Sequence, residues 1–123
     1  MSNRYILNGK TPVPCDDLLT WIEWFKKVGN RIAITYLDGI PTFGPRGARH
    51  CINSMVTTIF TGIDHSRGKD NPPLLFETYV FKGPLDQEMD RYATWEEAEE
   101  GHKAMVQKVK EAIKCKKQIK TQH

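Results

Sequence analysis

Four residues in the stretch "TGIDHSRGKDNPPLLFETYVF" and the helix that follows could do acid–base chemistry: Asp64, His65, Glu77 and His102. Carboxylates and imidazoles are the usual donors and acceptors of protons near neutral pH. On one phosphodiester they could serve as acid, base or metal ligands. Spacing restrains that idea. No HxxxH, HExxH or HxT pair is present, and no CxxC, so neither a metal site nor a two-histidine site is written in the chain. No cofactor motif is seen either. G-x-S-x-G is absent, and the three cysteines (Cys15, Cys51 and Cys115) lie far apart, as reduced thiols would. Glu77 is the least ordinary of the four. It sits between Phe76 and Thr78 in an apolar run, where a carboxylate needs a partner, and Arg91 and His102 are the candidates.

A second set of residues could hold an anion. Arg46, Arg49 and His50 fall in the Gly- and Pro-containing loop "IPTFGPRGARH", and Arg67 and Lys69 in the loop after His65. Guanidinium groups and exposed glycine amides approach phosphates readily, although the nucleoside-triphosphatase loop pattern is missing. Tyr79, Tyr92 and Trp95 could offer faces on which a base stacks. With His65, Glu77, Arg91, Tyr92 and His102, these cations make up the candidate ligand-binding set.

The elements that must position these groups read as α+β. Residues 4–7, 31–37, 54–63 and 74–81 are β-branched and aromatic, so a mainly antiparallel sheet of three to four strands is expected, with 65–73 as a long hairpin loop. Leu18, Trp21, Ile22, Phe25 and Val28 recur at helical spacing, predicting a helix over about 17–28 with Asp16 as its N-cap. Trp24 points off that stripe, so Trp21 and Trp24 are candidate interface residues and a homo-oligomer is expected. Thr94-Trp95-Glu96-Glu97 is a capping box, and Trp95, Ala98, His102, Met105, Val109 and Ala112 carry the helix to about 115. His102 therefore faces the sheet. The expected picture seats both helices on one layer and gathers Glu77 and His102 into a common pocket. If both helices take one face of the sheet, the other is left to solvent or to a partner.

With 123 residues, the chain is expected to be a single domain spanning 1–123 with a frayed tail from about 118. Its net charge is +3, unevenly spread, with acids at 96–100 and lysines at 108–120. That arrangement suits a helix dipole; it also leaves nucleic acid as a possible partner of the Lys-rich end. No apolar run is long enough for a membrane span, and MSNRYILNGK has no signal-peptide core, so a soluble protein that is not secreted is expected.

The motifs "GIDHS", "PPLLFETYVF" and "DRYATWEEAEEGH", with the opening "RYILNGKTPVPCDDLLTWIEWF", resemble a family of small, mostly uncharacterised bacteriophage and prophage proteins. Its pattern is G-x-D-H, P-P-x-L-[FY]-E-T and R-Y-x-T-x-x-E-A-x-x-G-H. Asp64, His65, Pro72, Pro73, Glu77, Thr78, Arg91, Tyr92, Thr94, Glu97, Gly101 and His102 match it. The resemblance brings no established activity. It implies a phage origin and a host cytoplasm. Three functions follow as expectations. The first is a binding protein that antagonises host antiviral defence, by sequestering a nucleotide second messenger or by binding a host defence protein. The others are a nucleotide phosphodiesterase or hydrolase and a minor virion or assembly protein.

Overall fold

The computed structural model describes residues 3–37, 42–44, 47–49, 54–66 and 71–121. The chain runs β1 (Tyr5–Asn8), β2 (Thr11–Pro14), α1 (Leu18–Val28), β3 (Arg31–Leu37), β4 (Thr42–Gly44) and β5 (Gly47–Arg49). It continues with β6 (Ser54–Phe60), β7 (Phe76–Phe81), β8 (Met89–Tyr92) and α2 (Trp95–Thr121). An antiparallel four-stranded sheet, ordered β3-β6-β7-β8, forms the centre, and the fold is α+β as expected.

Alternation along the strands decides which side of this sheet is core. In β6, Ser54, Val56, Thr58 and Phe60 are buried while Met55, Thr57 and Ile59 are not; in β7, Phe76, Thr78 and Val80 are buried while Glu77, Tyr79 and Phe81 are not. Successive side chains of a strand point to opposite faces, so the buried set defines one inner face. Both helices lie there. Val80 and Val56 pack with Met105 and Val109 of α2. Phe60 meets Trp24 edge-on and stacks on Phe25 from α1, while Phe76 meets Trp95. Among the described residues, the opposite, outer face carries no helix.

Several expectations need correction. Residues 4–7 do not join the main sheet. β1 pairs with β2 as a separate hairpin, tied to the rest by the Arg4–Ile63 bridge. The prolines of Thr11-Pro12-Val13-Pro14 disguise β2, yet the edge of a two-stranded hairpin tolerates them. The fourth strand of the main sheet is β8, whose charged Met89-Asp90-Arg91-Tyr92 does not read as a strand. β6 stops at Phe60 rather than 63, because Gly62 takes φ +71 and a Cβ there would run into the Phe25 ring. The cap of α1 is Asp17, not Asp16; its carboxylate accepts from the Thr20 hydroxyl (2.5 Å) rather than from a backbone amide. α2 continues to Thr121, beyond the expected end near 115. No glycine or proline stops it, and its late lysines complement the dipole.

Trp24 is not an exposed residue. It is half-buried, in a T-shaped contact with Phe25 and another with Phe60. Trp21 is half-buried too, donating its indole N–H to the Tyr5 carbonyl (3.1 Å) and, at 3.3 Å, to that of Gly62. What α1 exposes instead is Leu18, Leu19 and Val28. The helix places none of its residues fully inside, so it is a lightly seated cover on the β6 end of the core.

Candidate functional site

The four acid–base candidates do not converge. His102 projects from α2 onto the inner face, where Nδ1 lies 2.7 Å from the Thr58 hydroxyl and Nε2 lies 2.8 Å from that of Thr35. Thr58 and Thr78 are 2.6 Å apart, oxygen to oxygen. Beyond them, Tyr92 stands on the neighbouring strand opposite Phe76, diagonal to Thr78 on the same face. The result is a row of hydroxyls and one imidazole, running Thr35, His102, Thr58, Thr78 and Tyr92, between helix and sheet. Burial holds the His102 pKa below the usual histidine value and, at the other end, raises that of Tyr92 against the opposing effect of Thr78. His102 is therefore a neutral core histidine with both ring nitrogens engaged. Gly101 makes room for this row, since a Cβ there would overlap the Tyr92 ring and hydroxyl.

Glu77 occupies the other side of the same sheet. Its register partners are Ile59 and Arg91, and it alternates with the buried Phe76 and Thr78, so it faces away from His102. The expected common pocket for Glu77 and His102 does not exist. Strand register, which a sequence does not display, puts the two on opposite faces.

Asp64 works on the backbone. Its Oδ1 accepts the amide of Ser66 (2.8 Å) and the amide of Leu74 (3.0 Å), while the His65 amide donates to the Leu74 carbonyl. Desolvation pushes the Asp64 pKa up. The Ser66 and Leu74 amides, the Ser66 hydroxyl and the neighbouring His65 together outweigh it, so the net shift is downward. Through Oδ1, Asp64 ties the two ends of the 61–75 connection together. His65 is half-buried beside it.

Of the expected cationic set, Arg46, His50, Arg67 and Lys69 lie outside the described residues, as does the side chain of Arg49 at the end of β5. Lys108 in the Lys-rich helix end is paired with Glu88 at 3.0 Å. Among the described residues, no group of three or more His, Cys, Asp or Glu side chains could hold a metal ion. No helix among them is long and apolar enough to cross a membrane.

Attention therefore moves to the outer face. Thr57 and Ile59 of β6 with Glu77, Tyr79 and Phe81 of β7 line an open depression of about 260 Å³. Its walls are mainly apolar, and the Tyr79 and Phe81 rings lie 4.6 Å apart, tilted by 52°. Tyr36 and Met89 extend the apolar surface on the flanking strands, exposed at 67% and 44%. Within this face two polar groups are left short of partners. Arg91 Nε is 3.5 Å from Glu77 Oε1, within ion-pair range but not aligned as a hydrogen bond. The Thr57 hydroxyl is buried and has no hydrogen-bond partner among the described residues. Buried polar atoms are nearly always satisfied, so such a pair on one apolar surface calls for a donor or acceptor from outside. An apolar hollow with a few converging polar groups has the make-up of a ligand site.

Glu77 and Arg91 were legible as a candidate pair, and Tyr79 as a stacking face. Thr57, Ile59 and Phe81 were missed, because alternation alone does not reveal which side of a strand the helices cover. Tyr92 and Trp95, expected as stacking faces, belong to the inner side. No protein-family model, no curated protein and no solved structure matches this chain.

Proposed function

We propose that this chain is a non-catalytic binding protein that holds its ligand on the uncovered outer face of the four-stranded sheet. One observation carries the reading: the only described surface that combines exposed aromatic rings with under-satisfied polar atoms is the Thr57–Glu77–Tyr79–Phe81 hollow. Two of the four residues expected to serve an enzyme have structural work instead, His102 against two threonine hydroxyls and Asp64 on two backbone amides, and Glu77 lies on the opposite face from His102.

Joined to the resemblance, the reading becomes more specific. The protein is a phage product acting in the host cytoplasm, and it antagonises a host defence pathway by sequestering a nucleotide signal. Stacking rings beside an ion pair suit a base and its polar edge. Pull-down from infected cells followed by native mass spectrometry tests this directly and reports subunit number as well. The expected result is a small nucleotide recovered chemically unchanged, and lost when Tyr79→Ala is used as bait. A ligand returned in cleaved form would overturn the reading in favour of a hydrolase. Recovery of a host protein with no small molecule would replace the nucleotide by a protein target.

A further inference from the structure

We infer that the outer-face hollow is a nucleobase subsite that selects guanine, with Glu77 reading the base edge. This deepens the binding function just proposed and rests on it. The geometry begins with room and shape. At about 260 Å³ the hollow falls below the ~300–1,000 Å³ of most small-molecule sites, which suits one planar ring system rather than an extended ligand. Tyr79 and Phe81 supply a tilted aromatic wall, and Ile59 an aliphatic one. Such surfaces accept any base by stacking and do not discriminate among them.

Discrimination must come from the polar groups. Glu77 is half-buried, with its side chain 19% exposed, and Arg91 stands on the Oε1 side at 3.5 Å. Beyond that ion pair the Glu77 carboxylate makes no hydrogen bond among the described residues, and an ionised carboxylate accepts hydrogen bonds but donates none. Its best complement is a flat edge presenting two adjacent N–H donors. Guanine offers that edge with N1–H and the N2 amino group. Adenine and cytosine each set one amino donor beside a ring-nitrogen lone pair, which repels a carboxylate. Uracil sets one N–H between two carbonyl oxygens. Thr57, cross-strand from Tyr79 and diagonal to Glu77, lines the same hollow, and its buried, unpartnered hydroxyl is a spare donor that a base must settle deep into the hollow to reach. Arg91 is a positioning residue: it keeps the Glu77 side chain on this face and charge-balanced while the hollow is empty.

Isothermal titration of the full chain with GMP, AMP, CMP and UMP, and with guanosine, tests the assignment. The expected outcome is that GMP and guanosine bind, with AMP, CMP and UMP weaker by roughly tenfold or more, the worth of a charge-assisted hydrogen bond. Glu77→Gln, nearly isosteric, is expected to abolish the guanine preference while leaving residual stacking affinity. Thr57→Val is expected to weaken GMP severalfold without changing the ranking. Circular dichroism and melting of each variant check that the fold persists; Glu77→Asp, which keeps the charge but withdraws it, serves if Glu77→Gln is unstable and is expected to lose the preference as well. If all four nucleotides bind alike, or the preference survives both Glu77 variants, the guanine assignment is wrong while nucleotide binding stands. If none binds, the assignment and the nucleotide form of the proposed function both fail.

Discussion

His102 shows how one side chain can look chemical and be structural. Both ring nitrogens lie against threonine hydroxyls, and burial lowers its pKa, so the folded state prefers the neutral ring. The sign of the resulting pH dependence follows. Between the ordinary histidine value of 6.5 and the lower folded value, the unfolded chain binds more protons than the folded one. Stability is therefore complete above that ordinary value, falls as the pH drops through the window, and levels off below the folded pKa. Urea midpoints measured from pH 7.5 down to pH 5 should decline for the wild-type chain and lose much of that slope in His102→Gln. His102→Ala, which empties space and takes a partner from the Thr35 and Thr58 hydroxyls, is expected to cost about 3 kcal/mol. The proton-dependent part and the packing part are thus separable.

The elements show how local choices serve the inner face. In α2, Gly101 breaks the rule that glycine weakens a helix interior, where alanine is better by ~1 kcal/mol. Here the gain is unavailable, because a Cβ would overlap Tyr92. Gly101→Ala is expected to destabilise by about 1–3 kcal/mol, the usual range for overpacking. Pairing it with Tyr92→Leu should recover part of that loss in a double-mutant cycle. The start of α2 behaves as its motif implies, with the Glu97 amide donating to the Thr94 hydroxyl at 3.1 Å, though the Glu97 carboxylate accepts a hydrogen bond from the Thr94 hydroxyl rather than from the Thr94 amide. Thr94→Ala should cost about 1 kcal/mol in thermal or chemical unfolding.

For the molecule as a whole, the asymmetry of the central sheet is the feature that matters. Phe76 and Phe81 belong to the same strand and have identical side chains, but the first is wholly buried under both helices and the second is 42% exposed on the open side. Phe76→Ala is expected to cost about 3–5 kcal/mol, whereas Phe81→Ala should cost less than about 1 kcal/mol and act on ligand binding instead. Equal losses of stability from the two would mean that the outer face is covered in solution. A surface that tolerates truncation while retaining Tyr79, Phe81 and an ion pair is one whose composition answers to something other than folding.

Local patterning was enough for the helices, three of the four central strands and the capping box of α2. Periodicity and capping act over a few residues, so α2 announces its inward stripe, with His102 on it, in the letters alone. Glu77 could be named as a residue needing a partner for the same reason: a carboxylate in an apolar run is a local anomaly. What partner it found was not local. Glu77 meets Arg91 because β7 and β8 pair in that register, and it misses His102 because both helices settled on the other face. Trp24, off the stripe of its own helix, is drawn inward by Phe60, a residue far along the chain. Register and the choice of face depend on long-range pairing, where a shift of one residue turns every side chain over, and only the assembled tertiary structure makes that choice.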